Sequence, residues 1–324
     1  MTLIELNDIS PVGLGMYRMN CNSEEHYNAI LKAIKRGYNL IDTASNYQGG
    51  NSEKLIGQVL RNNTDVSSQL FIVSKAGYLP SNSISPAFDE FMARNNIQKA
   101  QLNNFEYSID PAFLDFQLDI SLQRINRNYF DGYLLHNPER YLQSKNLNNK
   151  KVLYESIEMA FDFLEQKVRE GKIRYYGLSS NKIFFPNDRD SLDLSVIIDI
   201  AKSINSEHHF KLLQFPFNFK EKHASERTIH SKSLTEIARN NGIVTFGNRP
   251  LNMNLDGFEL RFMDYGAMNY DQDEEQFRAK LNEFIGIIDG QLELIDNQKL
   301  TSNDFEPTLK LKKNLSLIHI SEPT

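Results

Sequence analysis

Short apolar runs, each separated from the next by a longer amphipathic stretch, constrain this 324-residue chain more than any other feature. There are seven, at residues 12–14, 39–43, 70–74, 131–135, 173–178, 212–215 and 243–246. Alternation of this kind is the pattern of repeated strand–helix units. The runs are largely continuous rather than apolar at every second position, so both faces of each strand are expected to be covered, as in a parallel sheet. Hydrophobic residues make up 40% of the chain, enough for the large core such a sheet requires.

The amphipathic stretches carry their own end signals. Ser23, followed by Glu24 and Glu25, opens a helix that Gly37 stops. A short hydroxyl side chain accepts from bare first-turn amides, and acids suit the positive end of the helix dipole. Ser52 and Glu53 open the next helix, with Ile56, Val59 and Leu60 along one face. Leu114, Leu118, Ile120 and Leu122 mark a third, and a fourth spans residues 155–171. Helices near 192–204 and 234–241 come next, the last closed by Gly242. Two regions break the rhythm. Residues 78–110 form a polar connection with Pro80 and Pro86, far longer than usual, and read as a substrate-side lid. Beyond Leu251 a helical segment, 274–296, is legible, but an eighth strand is not.

A formal net charge of -6 argues against nucleic-acid and membrane-surface partners, which need clustered positive charge. Glu5 and Asp8 interrupt the start of the chain, unlike a secretory signal, and no apolar run is long enough to cross a bilayer. One cysteine, Cys21, excludes an internal disulfide and suits a reducing compartment, the cytoplasm by default. The histidines His208, His209, His223 and His230 lack the spacing of a zinc site and read as surface residues, so no metal is expected. Alternating Phe215, Phe217 and Phe219 read as core packing.

The chemistry lies at, or just after, the C-terminal ends of these runs. Asp42 and then Tyr47, Lys75, His136, Ser179 with Ser180 and Asn181, and Gln214 stand at the C-terminal ends of successive strands. In a parallel barrel those ends converge on one face. An aspartate, a lysine, a tyrosine and a histidine meeting there suit proton transfer to an oxygen. A free phenol titrates at ~10, and a neighbouring ammonium is expected to lower that value. In this reading Lys75 supplies the field, Asp42 holds Lys75 charged and oriented, and His136 donates a hydrogen bond to the substrate oxygen.

Those residues sit in stretches that resemble the aldo-keto reductase family: Gly13-Leu14-Gly15, then Gly37, Asn39 to Tyr47, Gly50-Asn51-Ser52-Glu53, Ile56-Gly57 and Ser74-Lys75. Leu134 to Glu139, Gly171 to Arg174, Tyr176 to Asn181 and Gln214 continue the match over roughly the first 250 residues. The resemblance implies a (β/α)8 TIM-type barrel, with residues 1–251 as the barrel, 252–314 as a helical C-terminal extension and 315–324 as an extraneous or disordered tail. Family members close the barrel with an eighth strand and helix, and the lack of a matching segment reads as truncation. The resemblance also implies a catalytic tetrad of Asp42, Tyr47, Lys75 and His136, with Tyr47 as general acid. It places Ser179 and Gln214 on the carboxamide of NADPH. Ser180 stands where the family has asparagine, and Asn181 comes one place later. The ring-stacking residue would be Phe246 or Asn248 before Pro250-Leu251, of which Phe246 is suited to stack, and Arg249 is expected at a cofactor phosphate. The function implied is NADPH-dependent reduction of a small aldehyde or ketone. The alternatives are a cofactor-binding sensor or regulatory subunit, an inactive truncated fragment, or a glycoside hydrolase, which would need a second carboxylate opposite Asp42.

Overall fold

All seven apolar runs are strands of one sheet. The computed structural model describes residues 3–80, 86–184, 188–218, 221–229, 232–255 and 258–261. The chain divides into two compact units, residues 1–260 and 261–324, and the elements that position the site belong to the first.

In chain order the first half contains β1 (Leu14–Gly15), α1 (Glu24–Lys35), β2 (Leu40–Asp42), α2 (Asn51–Asn62), β3 (Phe71–Ala76), α3 (Pro86–Arg94), β4 (Ala100–Gln101), β5 (Glu106–Tyr107) and α4 (Pro111–Ile125). Next come β6 (Phe130–His136), α5 (Arg140–Gln143), α6 (Lys150–Arg169), β7 (Ile173–Ser179), α7 (Leu194–Ile204) and β8 (Phe210–Pro216). The remainder is β9 (Arg227–Ile229), β10 (Lys232–Ser233), α8 (Leu234–Asn240), β11 (Val244–Asn248), β12 (Asn252–Leu255) and β13 (Phe258–Arg261). The main sheet runs β1–β2–β3–β6–β7–β8–β11, in sequence order and parallel at every step. Strand–helix alternation with this order is the sheet of a (β/α) TIM-type barrel.

Each strand alternates its side chains between two apolar compartments. Ile41, Ile72, Leu135, Tyr176, Leu178, Leu213 and Phe215 join the larger cluster with Ile56, Leu118, Phe161 and Ile197 of the helices. The opposite parity gives the smaller cluster of Phe71, Val73, Leu134 and Leu212, packed by Leu40, Tyr175, Val244 and Phe246 and, from the start of the chain, by Ile4, Leu6 and Ile9. Continuing that parity by one step brings Asp42, Lys75, His136, Ser179, Gln214 and Asn248 to the C-terminal ends. A polar layer thus caps an apolar interior.

Helix α2 begins at Asn51, with Ser52 and Glu53 in its first turn as expected, and the buried Ser52 hydroxyl reaches Met16 O at 2.8 Å and Met19 O at 2.7 Å. Several local expectations are corrected. Helix α6 starts earlier than 155, at Lys150, because Asn149 accepts from the Lys151 amide. The stretch 78–110 is structured by α3 and the β4–β5 pair, with 81–85 outside the described residues. His208 is buried, at 5% exposure, and not a surface residue. Residues 252–255 and 258–261 pair as two strands where a helical extension was expected. Segments 274–296 and 315–324 lie outside the described residues.

Gly177 shows how tightly the interior is built. A Cβ there would lie 1.9 Å from the backbone oxygen of Leu212, where the β7–β8 register shifts. Gly177→Ala is therefore expected to destabilise the chain by about 1–3 kcal/mol, the usual cost of overpacking. Urea unfolding of the two proteins checks this, and equal midpoints would contradict it.

Candidate active site

Lys75, fully buried at the end of β3, is the centre of the polar layer. Its Nζ lies 2.7 Å from Asp42 Oδ1 and donates to the Thr43 carbonyl at 2.7 Å and to the Tyr47 hydroxyl at 3.4 Å. It also stands 4.9 Å from the Tyr47 ring centroid. Burial pulls the ammonium's pKa down, but Asp42 and Tyr47 raise it by more, so it is held above the usual lysine value and stays charged.

Tyr47 is presented by a tight turn, Tyr47–Gly50, in which Gln48, Gly49 and Gly50 all have positive φ. Two requirements select glycine at position 50. Its φ is 90°, and a Cβ would fall 2.3 Å from Arg124 Cζ. That arginine anchors the turn. Its Nη1 donates to Ser45 O and to Glu53 Oε2, both at 3.0 Å, and Glu53 Oε1 accepts from Ser74 Oγ at 2.7 Å. A fully buried carboxylate thus ties α2, α4 and β3 together beneath Tyr47.

The phenol does not titrate as expected from its neighbour alone. Burial raises the Tyr47 pKa, Lys75 lowers it, and the net value stays above 10. The correction has a plain cause: excluding water from the phenolate outweighs the attraction of one ammonium. His136 is buried beside it, ring centroids 5.9 Å apart and nearly perpendicular. Burial first, then Lys75 and Arg140, holds the imidazole pKa well below 6.5, so the ring is neutral. Its Nδ1 is buried without a hydrogen-bond partner among the described residues.

Ser179 and Gln214 join the same network. Ser179 Oγ donates to Gln214 Oε1 at 2.9 Å, and Gln214 Nε2 donates to Asp42 Oδ1 at 2.9 Å. Asn181 and Arg249 meet one another at the rim, where Asn181 Oδ1 accepts from Arg249 Nη2 at 2.7 Å and its Nδ2 donates to Asn137 Oδ1 at 3.2 Å. Two expected cofactor residues have partners within the protein. The Ser180 hydroxyl is buried and donates to Glu139 Oε2 at 3.0 Å, and Phe246 packs in the interior apolar cluster. Asn248, two residues further along β11, is the one that reaches the polar layer, donating to Gln214 Oε1 at 3.4 Å.

Sequence reasoning gave no role to Glu139 or to the Glu53–Arg124 pair, weighed Asn248 only as the lesser alternative to Phe246 for ring stacking, and read Tyr78 only as the start of a lid. Strand parity points to Asn248, two places after Phe246. Glu139 ends the family-like stretch that begins at Leu134, and it is buried at 2% exposure and accepts from the Asn181 amide at 2.9 Å. Nothing local marks Arg124, which is 71 residues from Glu53. Among the described residues no group of three metal-ligating side chains occurs, and no helix is long and apolar enough to cross a membrane.

Comparison with known proteins shows the family. The model of the aldo/keto reductase family matches residues 11–302. An uncharacterised oxidoreductase of Schizosaccharomyces pombe is 28% identical over 248 residues, 74% of this chain and 63% of that protein. Morphine 6-dehydrogenase of Pseudomonas putida is 31% identical over 141 residues, 43% of this chain and 36% of its own length. The matched stretch therefore spans less than two thirds of these relatives. An aldo-keto reductase from Bacillus halodurans, solved in its holo form, shares the fold with a TM-score of 0.51 at 17% identity, over 86% of this chain and 76% of that one. The chain belongs to the aldo/keto reductase family.

Proposed function

We propose that this chain reduces an aldehyde or ketone with hydride from NADPH, and that Tyr47 is the general acid. The observation that carries the reading is the Lys75 ammonium, within 2.7 Å of Asp42 and 3.4 Å of the Tyr47 hydroxyl, in a layer that also holds His136. Relatives named as oxidoreductases and as a dehydrogenase support the redox class. The cytoplasm, a reducing compartment, suits a chain with a single cysteine.

The residues fit a nicotinamide. Ser179, Gln214 and Asn248 form a set of amide and hydroxyl groups, and Asn248 Oδ1 is buried without a hydrogen-bond partner among the described residues. Ser179, Gln214 and Asn181 would hold the carboxamide, and Arg249, with its rigid donor fork, a phosphate. When bound, the cofactor supplies the hydride.

The chain's own residues manage the proton. Burial keeps the resting Tyr47 phenol protonated and therefore able to donate. As charge builds on a carbonyl oxygen between Tyr47 and His136, Tyr47 passes its proton to that oxygen, and Lys75 stabilises the phenolate left behind. Asp42 keeps Lys75 charged and in place. His136, neutral, donates a hydrogen bond to the oxygen without adding a second cation.

Tyr47→Phe is expected to lower kcat/KM for an aldehyde by about a hundredfold or more, with NADPH binding retained. NADPH consumption and NADPH fluorescence titration measure the two, and near-normal activity in this variant would remove Tyr47 as the acid. The pH profile gives a second check. A histidine pKa held well below 6.5 and a tyrosine pKa above 10 leave kcat/KM level through the ordinary histidine range, with loss only at alkaline pH as the phenol ionises. A midpoint near 6.5 would contradict the neutral imidazole.

A further inference from the structure

Arg140, at the start of α5, is a partly buried cation with neutral partners. Its Nε donates to the Tyr78 hydroxyl at 3.1 Å and its Nη1 to Gln143 Oε1 at 2.6 Å. The guanidinium also lies 5.5 Å from the Phe105 ring centroid and 5.9 Å from that of Tyr78. Among the described residues no carboxylate forms an ion pair with it. Neighbouring Glu139 feels the Arg140 charge, but its oxygens accept from Ser180 Oγ and the Asn181 amide rather than from the guanidinium. The guanidinium thus keeps a donor edge that no carboxylate contacts directly among the described residues, and a planar fork of that kind is suited to an oxyanion.

Tyr78 adds a second unsatisfied donor. Its oxygen accepts from Asn137 Nδ2 at 2.8 Å as well as from Arg140 Nε, which fills both lone pairs and leaves its own O–H proton without an acceptor among the described residues. The Tyr78 ring meets His136 edge to face, centroids 5.0 Å apart. A cluster of unoccupied donors, the Tyr78 O–H and the Arg140 Nη2 edge, therefore lies one aromatic ring from the imidazole proposed to hold the carbonyl oxygen. It is distinct from the Tyr47–His136 pair.

We infer that the carbonyl substrate carries an anionic oxygen group, a carboxylate or a phosphate monoester, which Arg140 and Tyr78 bind while the carbonyl faces Tyr47. The inference deepens the reductase reading and rests on it for the identity of the reacting end. A planar guanidinium fork matches either oxyanion, whereas a neutral ester offers no charge to it.

The test separates the two readings. Calorimetric titration of 4-oxobutanoate and of its methyl ester into the full chain, without reductant, measures the anion preference independently of turnover. The acid is expected to bind about tenfold tighter or more, as for charge-assisted hydrogen bonds. Arg140→Met abolishes the difference, Tyr78→Phe reduces it, and Arg140→Lys retains part of it. Glyceraldehyde 3-phosphate is the phosphate arm, and whichever anion binds tighter identifies the group. Equal binding of acid and ester, or a preference that survives Arg140→Met, overturns the inference. If the preference holds but NADPH is consumed with neither aldehyde, the reductase reading fails while the anion site stands.

Discussion

A lysine ammonium with no access to water organises this molecule's candidate site. Lys75 can be buried only because an aspartate, a backbone carbonyl and a phenol surround it, each within hydrogen-bonding distance. Those partners come from the end of β2 and the turn after it. Asp42 in turn is gripped by Gln214 from β8, nearly the width of the sheet away in strand order. The ion pair therefore depends on most of the sheet being assembled, and the site is a product of the fold rather than of any one loop.

Strand periodicity explains why the site is polar and its floor is not. The residues two places earlier on the same strands, such as Leu40, Val73, Leu134 and Leu212, form an apolar interior. Water is thus excluded from below, and the charges above act in a medium where they are strong. The same exclusion keeps the Tyr47 phenol protonated at rest. A general acid benefits from this arrangement because the proton is available until charge develops on its acceptor. Burial and Lys75 act on different moments of the proposed reaction, and their opposition on the resting pKa is consistent with that.

Much of this was legible in the sequence because it derives from local pattern. Continuous apolar runs gave the parallel strands, Ser23 gave the cap of α1, and the C-terminal ends of the runs, or the residues just after them, gave Asp42, Lys75, His136, Ser179 and Gln214. What was not legible depends on contacts between distant segments. Ser52 was legible only as part of a helix start, yet its hydroxyl holds the Met16 and Met19 carbonyls. Ser180 looked like a cofactor residue, yet the buried Glu139 carboxylate claims its hydroxyl. Phe246, expected to stack on a ring, packs partly buried against the interior cluster, where its strand parity puts it. The polar spacing of 78–110 concealed the order that the Tyr78–Tyr107 bridge and the β4–β5 pair impose. A sequence shows which groups sit near strand ends; it does not show which of them other groups have already engaged.

The central claim is that Lys75 stabilises the Tyr47 phenolate inside a buried site. The most direct measurement is the titration of ring-labelled tyrosine by NMR, with the Tyr47 signal assigned from Tyr47→Phe. In the parent, that signal should titrate above 10. In the double variant Asp42→Asn/Lys75→Met, which removes the cation together with its counter-charge, it should move higher still, because Lys75 lowers the value by more than Asp42 raises it. An unchanged or lower value in the double variant would show that the ammonium does not support the phenolate, and the account of the site would fail.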